Sequence, residues 1–298
     1  MSLFTQSISP ETLSVATLAR IESQGGIDPF ASPSHPPRVS APSFRLPARA
    51  ISAITLLALI ALWWLAAQYK IVSPVFLPGP EAVFRKFITV ARDGFVDATL
   101  FQHLLISLGR VFAALAATLL IGVPVGLLIG LSTVGRGVFD PLLEFLRPLP
   151  PLAYLPLVVI WFGIGEPSKV LVIGLAMLAP IALSTAAGVR AVNEERIRAA
   201  RALGASRLRT VLHVTIPSAL PQIFTGLRIA LGAGWSTLVA AELVAATRGL
   251  GFMIQSAAQF LVTDVVLVGI FTIALVAFAL EWAIRTLDRR LVPWSGRD

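Results

Sequence analysis

The chain has 298 residues, 56% hydrophobic and only 13% charged, with a mean hydropathy of +0.83, which excludes an ordinary soluble domain and predicts residence in a lipid bilayer. A net charge of +8 and a pI near 11.1 would suit nucleic acid, but few segments could supply a soluble basic face, so that partner is excluded and topology must account for the arginines. Cysteine is absent, which excludes disulfides and thiolate metal sites.

Residues 1–50 carry seven prolines, without helical period or a long apolar run, and read as a disordered arm. The first apolar run begins only at Ile51, after four arginines, and reads as a retained membrane anchor rather than a signal peptide. From there six stretches are long enough to cross about 30 Å of hydrocarbon: roughly 51–68, 103–131, 139–162, 168–189, 220–246 and 263–284. The expected fold is therefore an all-α polytopic bundle of about six transmembrane helices over residues 51–298. In the second span Gly122, Gly126 and Gly130 fall four apart on one face, where a neighbouring backbone can approach closely. In the third, Pro148, Pro150, Pro151 and Pro156 cannot complete helical hydrogen bonds, which predicts a broken or re-entrant helix.

Orientation follows from where lysine and arginine flank the spans. Sixteen of the 24 lie in the N-terminal arm, residues 132–147, residues 190–217 and the tail from Arg285, whereas seven lie on or beside the other side and Arg228 is inside a span. Both termini and the segment 190–217 are thus expected to be cytoplasmic.

That segment, "RIRAARALGASRLRTVLHVTIP" in its core, has internal order of its own. Asn193 can cap a helix, Glu194 and Glu195 suit the positive end of its dipole, and Gly204 after Leu203 suits a left-handed stop. A second short helix can start at Ser206, with Leu208, Val211 and Leu212 opposite Arg207 and Arg209, and with Pro217 and Pro221 ending it at the next span. The result is an amphipathic knob that must cover its apolar stripe, against either a cytoplasmic protein or anionic lipid heads.

The stretch resembles the cytoplasmic signature of binding-protein-dependent ABC importer permeases: Glu-Ala-Ala, three residues, Gly, nine residues, then Ile-x-Leu-Pro. Ala199, Ala200 and Gly204 match, the ten-residue step from the glycine lands on Val214, and Ile216–Pro217 closes the motif, while Arg198 stands where the general pattern has glutamate. The resemblance covers residues 50–298. Through "LRPLPPLAYLPLVVIWFGIGEPSK" and "GLRIALGAGWSTLVAAELVAATRGLGFM" it narrows to the sulfonate, taurine and nitrate branch. It implies a bacterial inner-membrane permease, two copies of which form the path for an organosulfonate such as taurine, with an alkanesulfonate or nitrate as alternatives. Each copy would dock Arg198, Ala199, Ala200, Gly204, Ala205, Ser206, Ile216 and Pro217 on one of two ATP-binding subunits, which hold ATP and magnesium, and a periplasmic binding protein would deliver the solute. No cofactor is expected in the chain itself. A phosphate loop needs glycine directly before its lysine, and Lys70, Lys86 and Lys169 follow Tyr69, Arg85 and Ser168.

An enzyme lacks its materials here. His35, His103 and His213 are spread between the arm, a span end and the knob, and read as interfacial or surface residues rather than metal ligands. A secondary transporter would also use broken helices and buried charge but has no need of the glycine-hinged knob. Polar residues inside spans are the functional candidates. Arg228, about 10 Å past Pro221, suits snorkelling or a structural ion pair. Glu242, about 30 Å past Pro221, would flank the outer gate, and Trp235, Ser236 and Thr237 lie between them, deep enough to line a path, although a tryptophan also suits packing.

Overall fold

A computed structural model describes residues 48–294; the arm expected over residues 1–50 lies outside the described residues as far as residue 47. Residues 48–55, which open the helix α1 (Ala48–Gln68), and the described residues from Leu56 belong to two separate compact units.

After α1 come α2 (Pro80–Arg92), α3 (Leu100–Leu131), α4 (Thr133–Leu146), α5 (Pro151–Phe162) and α6 (Glu166–Arg190). Two short helices follow, α7 (Glu194–Ala202) and α8 (Arg207–Thr210), then a π-helical turn over Val211–Thr215, α9 (Ile216–Ala245), α10 (Leu250–Gln259) and α11 (Thr263–Leu291). Among the described residues five helices are long and apolar enough to cross a membrane, and the pair α4–α5 makes a sixth span if its two limbs count as one. Those limbs meet at 103°, at the proline cluster where a break was expected.

The helix α6 is central, packed along α3 on one side and α9 on the other. Small residues permit both contacts. A Cβ on Gly126 would strike the Ala182 carbonyl and Thr185, and one on Gly130 would come within 2.6 Å of Val189, so the predicted glycine face of α3 is the face against α6. On the other side a Cβ on Gly226 would meet Ser184 at 2.5 Å, and one on Gly188 would meet Gln222 and the Ala219 carbonyl at 2.8 and 2.9 Å. Such approach lets backbones pack by dispersion where lipid supplies no hydrophobic drive between helices. Around these contacts Val111, Ala114, Ile173, Met177, Ile181 and Leu238 form the principal core. The pairings Arg110 with Glu166, Gly126 with Ala182 and Gly130 with Val189 ascend both helices together, so α3 and α6 run parallel.

Besides the two short helices of segment 190–217, two elements fall outside the six predicted spans. At 13 residues α2 is about 20 Å long and cannot cross the bilayer. It starts at Pro80 with Glu81 in its first turn and Arg92 in its last, buries Val83 and Val90, and pairs Lys86 with Asp264 at the start of α11, 3.2 Å apart. The ten-residue α10 is shorter still.

Pro217 and Pro221 do not end the helix, contrary to expectation; Arg207–Val244 continues as one span. The π turn explains why. It pairs the Ile216 N–H with the Val211 carbonyl, and Pro217 follows in the first turn of α9, where a missing N–H costs least. Thr215 Oγ1 donates to the Thr210 carbonyl at 3.5 Å, giving a carbonyl of the disturbed ladder a partner.

Close approach at Gly126 predicts that Gly126→Leu separates α3 from α6, with a loss of at least about 1–3 kcal/mol from overpacking. Gly109→Ala, which would meet nothing within 4 Å, should unfold like the parent. Denaturant unfolding of the purified variants in detergent measures both; equal midpoints would refute the packing argument.

Candidate functional site

The knob between α6 and α9 is built as its residues suggest. Asn193 Oδ1 accepts the Glu195 N–H at 2.8 Å and caps α7. At the other end Gly204 has φ +85°, the Gly204 N–H donates to the Arg201 carbonyl and the Ala205 N–H to that of Ala200, both at 3.0 Å, a Schellman closure. Ser206 Oγ then accepts the Arg209 N–H at 3.4 Å and starts α8. No residue of α7 is buried; Leu203 at the tip is 89% exposed and Leu208 68%. Arg198 and Ala199 are exposed, Ala200, Ala205, Ile216 and Pro217 half-buried, and Arg198 pairs with Glu194 within α7 at 3.3 Å. The tip therefore presents leucines and arginines outward with nothing in the described chain covering them.

Five polar residues were expected along α9, and the structure separates them. Ser236 and Thr237 line a cavity of about 290 Å³ with Tyr154, Arg147 and Pro180, at the bend between α4 and α5. Their hydroxyls donate to carbonyls of their own helix, Gly232 and Ala233, which leaves the oxygens' remaining lone pairs for a passing donor. Trp235 turns the other way into the core against Ile173 and Met177. Arg228 forms a structural ion pair with Glu281 of α11 at 2.6 Å.

Glu242 lies in a buried polar node at the end of the bundle opposite the knob. Its Oε1 accepts from Ser107 Oγ and from Arg110 Nη1, each at 2.7 Å, and its Oε2 from the Gly251 N–H at 2.8 Å. Ser107 Oγ in turn accepts the Leu250 N–H at 2.9 Å, and His103 Nδ1 accepts that of Gly249 at 3.0 Å. Three consecutive N–H groups opening α10, which have no partners within their own helix, thus end on three buried side chains. His103, Ser107 and Arg110 stand at i, i+4 and i+7, one face of α3. Because Gly249 N–H is a donor, His103 Nδ1 carries no proton and Nε2–H must donate to the Phe95 carbonyl, 3.0 Å away, so the imidazole is neutral. His103, expected at the interface, is instead fully buried. Gly249 has φ +127°, and a Cβ there would come within 2.5 Å of the Glu242 carboxylate.

The other face of Arg110 reaches the start of α6. Its Nε and Nη2 each donate to an oxygen of Glu166 at 2.6 Å, Lys169 Nζ donates to the same carboxylate at 3.0 Å, and Arg110 Nη1 also reaches the Arg248 carbonyl at 2.8 Å. Spacing along the sequence could not show this network, because Ser107 and Glu242 are 135 residues apart. The only available signal was that Arg110, Glu166, Lys169 and Glu242 are ionisable residues at the ends of apolar spans.

Residues 122–293 match a family described as the inner membrane component of binding-protein-dependent transport systems. The taurine transport system permease protein TauC of Escherichia coli is 59% identical over 81% of this chain and 88% of its own length. The aliphatic sulfonates permease SsuC of the same organism is 36% identical over 80% and 89%, and the bicarbonate permease CmpB of Synechococcus elongatus 36% over 71% and 82%. A chain of the inward-facing MetNI methionine ABC transporter shares the fold, with a TM-score of 0.53 at 19% identity, over 64% of this chain and 95% of that one.

The node predicts a strong contrast between two charge removals. Glu242→Ala leaves Arg110 Nη1, the Ser107 hydroxyl and the Gly251 N–H without their shared acceptor and should cost about 3–5 kcal/mol, whereas Lys86→Ala breaks a partly exposed pair and should cost less than about 1 kcal/mol. Chemical denaturation in detergent reads both, and similar losses would dismiss the node as a structural anchor.

Proposed function

The chain belongs to the family of binding-protein-dependent transport system inner membrane components, and on that premise we propose that it is the permease of an ABC importer for taurine. The observation that carries the solute is the wide gap between its identity to the taurine permease and its identity to the sulfonate and bicarbonate permeases. Two copies enclose the path, a periplasmic binding protein delivers the solute, and two separate subunits bind ATP with magnesium and hydrolyse it. The second reading keeps the importer and changes the cargo to an alkanesulfonate or nitrate, which the sulfonate relative's similarity favours.

The knob is the coupling element. Arg198, Ala199, Ala200, Gly204, Ala205 and Ser206 form the surface that each ATP-binding subunit grips, and Ile216–Pro217 passes the motion into α9. The exposed Leu203 and Leu208 support a protein partner, since apolar side chains standing clear of the chain need a cover. The internal pairing of Arg198 with Glu194 supports contact through shape and leucine burial more than through the acidic residue usual at that position. Ser236 and Thr237 line the path by weak polar contacts, which let a zwitterion cross without being trapped, Trp235 braces them from the core, and Glu242 sets the outer gate through the residues it holds. Residues 51–298 form the permease domain and residues 1–50 a cytoplasmic arm.

Vesicles reconstituted with permease, ATPase and binding protein should accumulate labelled taurine in an ATP-dependent manner. Gly204→Val should abolish solute-stimulated ATP hydrolysis, because a β-branched residue resists the left-handed closure of α7. Uptake of ethanesulfonate or nitrate without taurine would replace the cargo and leave the importer; full coupling in the Gly204→Val protein would remove the knob from the mechanism.

The bias of lysine and arginine supports a cytoplasmic knob and cytoplasmic termini. A cysteine introduced at Ser206 should resist an impermeant thiol reagent on intact cells and one at Thr247 should react; the reverse labelling would invert the orientation.

A further inference from the structure

The end of the bundle opposite the knob holds a charged cavity that the node leaves open. It measures about 490 Å³ and is lined by Ile106, Gly109, Arg110, Glu166, Thr247 and Arg248, among others. Its charges are layered. The side chains of Arg110 and Lys169 are only 3% and 5% exposed, yet the carboxylate they share, that of Glu166, is on a side chain 59% exposed. Glu166 thus covers two sunken cations from the water side. Glu242 lies beneath, occupied by Ser107, Arg110 and the Gly251 N–H, and Arg248 adds an exposed cation at the rim. Three positive groups face two negative ones, and one of the negatives stands at the surface on a movable side chain.

Arg110 offers Glu166 its Nε and Nη2 together, the planar fork that fits any oxyanion with two oxygens at carboxylate spacing. A sulfonate presents three such oxygens. We propose that this cavity is a binding site for a small organic sulfonate, and that Glu166 is a built-in competitor whose carboxylate holds the Arg110 fork and Lys169 until the solute's anionic group displaces it. Arg248 draws the anion to the rim, and Thr247 beside it offers a hydroxyl. Displacement keeps the two cations paired at every stage, since burying either one without an anion is costly. The displaced Glu166 carboxylate turns to water, or to an ammonium group on the same solute. The identity of the anion rests on the organosulfonate reading of the importer, while the exchange itself rests on this geometry.

Equilibrium binding of labelled taurine, and separately of labelled ethanesulfonate, to the full chain in lipid nanodiscs tests the site without transport. Glu166→Gln removes the competitor and should tighten both ligands about tenfold, the scale of one charge-assisted hydrogen bond. Arg248→Gln, whose backbone carbonyl still accepts from Arg110 and so keeps the node intact, should weaken both severalfold. Added salt should weaken binding to the parent chain. Unchanged or weaker binding by Glu166→Gln in a protein that unfolds like the parent overturns the proposal. If Glu166→Gln unfolds more easily, Arg248→Gln decides, and binding indifferent to it overturns the proposal, as does the absence of saturable binding in all three proteins. Binding of ethanesulfonate with both effects as expected, alongside vesicles that never accumulate taurine, would retain the site and discard the taurine assignment.

Discussion

Within the bundle everything at the end away from the knob hangs on one carboxylate. Glu242 sits near the end of α9, yet it holds Ser107 and Arg110 of α3 and the Gly251 N–H of α10, through Ser107 it reaches the Leu250 N–H, and through Arg110 it reaches Glu166 on α6. Four helices converge on a point where lipid offers no substitute partner for an unpaired donor. A buried ion pair adds little net stability over a well-packed apolar pair, but losing half of it is expensive, so its worth lies in allowing one arrangement only. That specificity is needed where α10 must begin with three N–H groups facing protein rather than water.

The node and the knob are joined by a single stiff element. From Arg207 to Val244 the chain is one helical span, with Glu242 near one end and the arginines of α8 at the other. The helix α6 runs beside it, locked at Gly188 and Gly226, and its ends reach Glu166 and the knob. A force on the knob therefore meets an antiparallel pair of long helices that run unbroken past Pro180 and Pro221. The break is elsewhere, in α4–α5, where the cavity at Ser236 and Thr237 opens.

Much of this was legible from residue type and period. Gly122, Gly126 and Gly130 announced a close helix contact because only small residues allow one, and Gly204 announced its stop because a positive φ favours glycine. Pro148, Pro150 and Pro151 announced the bend, whereas Pro156 lies inside α5 without breaking it. The node was not legible, because its members come from distant parts of the chain and each looks alone like a surface charge at a span end. His103 misled for the same reason: near a helix start it reads as interfacial, and only the arrival of Gly249 and Phe95 makes it a buried connector. The helices α2 and α10 escaped because both are too short to be seen as spans, although α2 carries an amphipathic period. Pro217 and Pro221 misled in the opposite sense, since a π turn can carry a helix past residues that ordinarily end it.

That π turn has a rotational effect. Each residue of an α-helix advances its faces by about 100°, so one additional residue accommodated in a single turn retards everything beyond it by roughly that angle. The faces of α9 are set by the small residues of α6, and the face of α8 must point Leu208 outward. Both demands fall on one continuous helix, and Val211–Thr215 reconciles them as a phase shift, giving the outer stripe an azimuth independent of the inner one.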